Sequence, residues 1–169
     1  MIVPPRVLSD DELLAFSEQN SGWHIEREPD GSLSVAPTSL SNAARAYEVA
    51  RQLGTWDTDR KGIVLGSDGG MTLPDKAVRA PDAAWISRER WNAIPPAERE
   101  KYARVVPEVV VEIVSPSDNV AHQRAKTRRY HEFGAAYAIM IDPRSRTCEE
   151  FGTPPDGLRF DLDAIFDAG

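Results

Sequence analysis

The chain has 169 residues, enough to bury a core without staples, and the expectation is a single domain over residues 1–169. Apolar residues make up 41 % and charged residues 28 %, and no run of about 18 apolar residues offers a membrane span. With 20 Lys and Arg against 27 Asp and Glu, the net charge is −7. This argues against broad, charge-driven nucleic-acid binding but not against a metal site, because bound cations offset clustered carboxylates. Residues 1–6 lack the basic start and apolar core of a signal peptide, and the lone Cys148 cannot form an internal disulfide, so a cytoplasmic location is expected.

Ser9-Asp10-Asp11-Glu12 reads as an N-cap with an acidic first turn, opening a short helix that buries Leu13, Leu14 and Phe16. Residues 23–27 and 32–36 alternate in polarity on either side of Pro29-Asp30-Gly31, which predicts a hairpin. Ser41-Asn42 would cap a helix over residues 43–54, ended by Gly54, with Tyr47, Ala50 and Leu53 on its apolar side and Glu48 at the border of that side. Residues 61–65 and 71–73 read as a second hairpin across Ser67-Asp68-Gly69-Gly70. A short strand follows over residues 81–86, then two helical turns starting at Ser87 and Pro95. The β-branched run of residues 109–114 predicts a strand buried on both faces. A helix over residues 119–133, a buried strand over 136–141, an edge strand over 147–151 and a closing helix or turn over 160–166 complete the order. The class is α/β with a mixed sheet flanked by helices.

Glu112 interrupts that apolar run. A carboxylate in a buried strand costs several kcal/mol unless a cation or donors compensate it, so Glu112 is either a metal ligand or a glutamate that turns outward at a sheet edge or pairs with an arginine. Asp82 opens a neighbouring short strand; alone it is also an ordinary turn aspartate, but two acids at strand ends suit a hard divalent cation. Glu48 could lean over the same pocket or stand in solvent. Lys126 and Tyr130 lie four apart on the helix after Glu112, so they share a face, with His122, Arg129 and Phe133 nearby on it. A lysine there could orient a water or offset phosphate charge, or be one of several solvated basic residues. His24, His122 and His131 lack zinc-like spacing and read as surface or packing residues. There is no phosphate-binding glycine loop and no nucleophile elbow.

Arg79-Ala80-Pro81-Asp82, Trp85 to Trp91, Val111-Glu112-Ile113-Val114-Ser115-Pro116-Ser117-Asp118, Lys126-Thr127-Arg128-Arg129-Tyr130 and Ile141-Asp142-Pro143 occur in an order that resembles the Uma-type restriction-endonuclease family of the PD-(D/E)XK superfamily. The resemblance covers nearly the whole chain. It implies a restriction-endonuclease-like core, Mg²⁺ or Mn²⁺ as cofactor, and DNA as substrate. By position, Asp82 and Glu112 would be the metal-binding acids, and Glu48 the helix acid of many such nucleases. The superfamily motif puts a lysine two residues after Glu112, where this chain has Val114; relatives take it from the next helix, where Lys126 matches, with Gln123 and Tyr130 in support. The chain departs from relatives between residues 152 and 157, which run from the edge strand almost directly to the last element. A homodimer is expected, since cutting two strands takes two sites. A non-catalytic binding module of the same fold and a hydrolase of small phosphoesters stay open beside the nuclease.

Overall fold

The computed structural model of the protein describes residues 1–37 and 39–169. In chain order its elements are α1 (Asp10–Gln19), β1 (Trp23–Arg27), β2 (Leu33–Pro37), α2 (Leu40–Trp56), β3 (Gly62–Gly66), β4 (Met71–Thr72), β5 (Val78–Arg79), β6 (Ala83–Ser87), α3 (Arg88–Ala93), α4 (Pro96–Arg99), β7 (Val109–Ile113), α5 (Val120–Glu132), β8 (Tyr137–Asp142), β9 (Thr147–Gly152) and α6 (Leu162–Asp167). They build two sheets, one of five strands in the order β3-β6-β7-β8-β9 and one of four in the order β2-β1-β5-β4. In the larger sheet β7 and β8 are parallel and the other pairs antiparallel, so the α/β class with a mixed sheet holds. No helix among the described residues is long and apolar enough to cross a membrane.

β7 sits at the centre of the larger sheet, buried along its whole length. Because side chains alternate, Val109, Val111 and Ile113 face one side and pack with Ala46, Val49 and Leu53 of α2 and Ile165 of α6. Val110 faces the other side and joins Tyr130 of α5 and Ala138. The same alternation puts Glu112 on the α5 side, where an apolar residue would otherwise complete the layer. α5 starts at Asn119, whose side chain accepts the His122 N–H, and ends before Gly134, whose φ of 106° suits glycine.

Three expectations are corrected. Residues 62–66 and 71–72 are not a hairpin: β3 pairs with β6, while β4 pairs with β5 in the other sheet, so the Ser67–Gly70 turn passes between sheets. The short β5, invisible to any periodicity, provides the missing partner. α2 starts at Leu40 with Ser39 as its cap and continues through Gly54 to Trp56, because tertiary packing overrides a single glycine. Leu53 is buried as expected and Ala50 packs against the same core, but the other buried residues of the stripe are Ala46 and Val49, and Tyr47 is 70 % exposed. The small sheet buries Leu13 of α1 against Ile25, Leu33 and Val78. Arg27 fastens α1 to β1 through Asp10 at 2.7 Å.

Candidate metal centre

α5 turns one face toward β7, and Gln123, Thr127 and Tyr130 are its buried residues at the spacing i, i+4 and i+7. Three of its side chains converge on Glu112, which is 1 % exposed. The Tyr130 hydroxyl donates to Glu112 Oε1 at 3.0 Å, Gln123 Nε2 donates to Oε2 at 3.2 Å, and Lys126 Nζ lies 3.1 Å from both oxygens. The cost of burying the carboxylate is offset by a cation and two further donors, the condition for keeping a charge inside.

Asp82 lies immediately before β6, beside the end of β7. Its Oδ2 accepts the Ile113 N–H at 2.7 Å, and its Oδ1 accepts from Asn42 Nδ2 of α2 at 3.1 Å. Asp82 and Glu112 both line a cleft of about 240 Å³ with Asn42, Gln123, Lys126 and His24.

The smaller sheet closes the cleft from the other side with a residue that sequence reasoning missed. Glu26 of β1 is buried, and its Oε1 stands 2.9 Å from Lys126 Nζ and accepts the Ala80 N–H at 2.9 Å. Its Oε2 lies 3.3 Å from Arg79, which donates twice to Glu28 as well. His24 Nε2 is 3.5 Å from Glu26 Oε1. In the sequence Glu26 reads as the polar face of a hairpin; only the packing of the second sheet over α5 buries it.

The acids respond differently to burial. Burial pushes Glu26 up, but Lys126, His24 and Arg79 together pull its pKa below the usual carboxylate range. Burial pushes Glu112 up to about 7, with Lys126 opposing and Glu26 and Asp82 adding to the rise. Burial also raises Asp82, against the pull of the Ile113 N–H and Lys126. Lys126 is lowered by burial but raised further by Glu112 and Glu26, so it remains an ammonium at neutral pH. The hydrogen bond to Glu26 raises His24 against burial.

Of the residues expected at the site, Asp82, Glu112, Lys126, Gln123 and Tyr130 are together. Glu48 is not. It is bound by Arg51 at 2.6 Å and Gln52 at 2.8 Å, off the buried stripe of α2 and outside the cleft. The misplaced apolar side of that helix explains the error. Asn42, at spacing 4, 3 and 4 from Ala46, Val49 and Leu53, continues the true stripe into the cleft. His24 and His122, expected as surface or packing residues, line the cleft too.

The residues fit a divalent cation by charge. The carboxylates of Glu26, Glu28, Asp82 and Glu112 face two permanent cations, Lys126 and Arg79, which leaves two negative charges without a partner when all are ionised; a protonated His24 offsets part of this. Asp82 and Glu112 are the two acids whose pKa rises. Among the described residues no three His, Cys, Asp or Glu side chains converge as a ready ligand set. A cation here would take the two acids with neutral oxygens and water, a mix that hard cations accept.

A crystal structure from Anabaena variabilis, described as a putative nuclease belonging to DUF820, superposes with a TM-score of 0.71 at 17 % identity, covering 94 % of this chain and 97 % of that one. At that identity the likeness concerns the fold. No curated protein matches the sequence. The model of the Uma2 family, described as "Putative restriction endonuclease", matches residues 10–164, and the chain belongs to that family.

Proposed function

We propose that this protein is a divalent-metal-dependent DNA nuclease that hydrolyses phosphodiester bonds at the cleft between its two sheets. The observation that carries the reading is that Asp82 and Glu112 line one cleft from neighbouring strand ends, with the Lys126 ammonium 3.1 Å from Glu112. The family's description and the fold of its solved relative support it.

Asp82 and Glu112 would hold Mg²⁺ or Mn²⁺, which when bound lowers the pKa of a coordinated water and offsets charge on the phosphate. Tyr130 and Gln123 fix the rotamer of Glu112, and the Ile113 N–H and Asn42 fix that of Asp82. Lys126 stays protonated, so its role is to donate hydrogen bonds and stabilise charge building on the phosphate rather than to take a proton. Glu26 holds it in place. Cutting both strands of a duplex would take two sites, and we propose a two-fold dimer for it.

Two observations favour a second reading, a non-catalytic module that keeps the fold. Both oxygens of Glu112 are already bonded inside the protein, and the chain is acidic overall. A plasmid nicking assay separates the two. Supercoiled DNA should be nicked with Mn²⁺ or Mg²⁺, not with EDTA, and not by Asp82→Asn. An inactive wild type under every metal supports the binding module, and cleavage surviving in Asp82→Asn removes the site assigned here. A parallel assay on small phosphodiesters identifies the hydrolase of small substrates.

A further inference from the structure

Asn42 presents an unexplained polar atom. Its amide nitrogen donates to Asp82 Oδ1 at 3.1 Å, which fixes the orientation of the amide, since a carboxylate oxygen accepts and cannot face another acceptor. Its Oδ1 is the amide atom not used in that bond; it is buried and accepts no hydrogen bond among the described residues. A buried acceptor left without a donor is costly and uncommon, and it calls for a partner such as a water or an ion. The backbone of Asn42 is already satisfied: its N–H bonds the Ser39 hydroxyl at 3.2 Å. What remains is one buried amide oxygen without a donor, on a residue that lines the cleft together with Asp82 and Glu112.

Resting on the metal reading above, we propose that Asn42 Oδ1 is a neutral oxygen ligand of the divalent cation, the third protein donor beside Asp82 and Glu112. Three features agree with it. Hard divalent cations take amide and carbonyl oxygens readily alongside carboxylates. Two acids already match the charge of the ion, so a neutral third donor adds coordination without adding uncompensated charge to a buried site. The bond from Asn42 Nδ2 to Asp82 positions both residues at once, so the two ligands are held together before the ion arrives. The helix position that the family resemblance would fill with an acid, Glu48, is thus replaced in this role by an amide about 1.7 turns earlier on the same helix.

The test is Mn²⁺ binding to the full chain, followed by the electron paramagnetic resonance signal of free Mn²⁺, with folding of each variant checked by circular dichroism. The variants are Asn42→Ala, Asn42→Asp and, as a site control, Asp82→Asn. The expected result is wild-type binding, weakening on the order of 10-fold in Asn42→Ala, and clearly tighter binding in Asn42→Asp than in Asn42→Ala, because it keeps an oxygen at the same place although it loses the bond to Asp82. If Asn42 only orients Asp82 through its amide nitrogen, Asn42→Asp binds as weakly as Asn42→Ala, and the proposal is overturned. Unchanged binding in both Asn42 variants, with Asp82→Asn deficient, also overturns it and leaves the metal reading standing. Absence of Mn²⁺ binding by the wild type overturns the metal reading and this ligand with it.

Discussion

The ammonium of Lys126 lies 2.9 Å from Glu26 Oε1, a contact that joins a helix packed on one sheet to a strand of the other. Glu112, 3.1 Å from the same ammonium, makes Lys126 the bridge between the acid that stays ionised and the acid that rises. The N-terminal hairpin is therefore part of the site and not an ornament on a nuclease core.

Removing the bridge should hurt more than folding alone explains. Lys126→Met keeps most of the stem but leaves Glu26 and Glu112 buried without their shared cation, a loss of about 3–5 kcal/mol of stability. Urea denaturation measures it. Lys126→Arg should restore charge without restoring nicking, because a planar guanidinium cannot place one point charge between two carboxylates.

Glu26→Gln keeps a hydrogen-bonding group of the same shape and removes the charge. It should cost about 1–3 kcal/mol of stability and lower nicking, while Mn²⁺ affinity stays near wild type because Glu26 is assigned to the lysine and not to the ion. Loss of Mn²⁺ binding equal to that of Asp82→Asn would make Glu26 a ligand instead.

The metal-free protein should lose stability as pH rises from the ordinary glutamate value of 4.5 to about 7. Across that window the folded state keeps a proton on Glu112 that the unfolded chain has released, so the unfolded state binds fewer protons and is favoured by raising pH. Glu112→Gln carries no such proton and should flatten this part of the curve. Denaturant midpoints in EDTA at several pH values check the slope, and an equal slope in both proteins contradicts the assignment.

Glu48→Ala separates the helix acid implied by family likeness from the geometry. Its carboxylate is held by Arg51 and Gln52 outside the cleft, so nicking should be unchanged and stability should fall by about 1 kcal/mol or less. A large loss of activity would place Glu48 in the cleft after all.

Much of the site was legible because its residues break a pattern. Glu112 announces itself by interrupting a β-branched run; helical spacing puts Lys126 and Tyr130 on one face of the next element, and the family resemblance adds Gln123 and the role of Lys126. Glu26 was not legible: His24-Ile25-Glu26 alternates as a half-exposed strand should, and no local signal tells that a second layer covers its polar face. Asn42 was lost to a helix start placed three residues late and to a stripe read through Tyr47, where bulk outweighed the smaller Ala46. The false hairpin between β3 and β4 has a similar origin. A good turn sequence predicts local pairing, but partners for both strands came from further along the chain.

Melting of the wild type and Asp82→Asn with Mn²⁺ and with EDTA, at pH 6 and pH 8, tests the cation site most directly. Mn²⁺ at about 100 times its Kd should raise the wild-type Tm by about 5–10 °C, since a ligand of the native state stabilises by mass action. The gain should be larger at pH 8, where Glu112 has no proton to release, and absent in Asp82→Asn. An unchanged Tm in the wild type, or an equal rise in both proteins, would contradict a divalent-cation site built on Asp82 and Glu112.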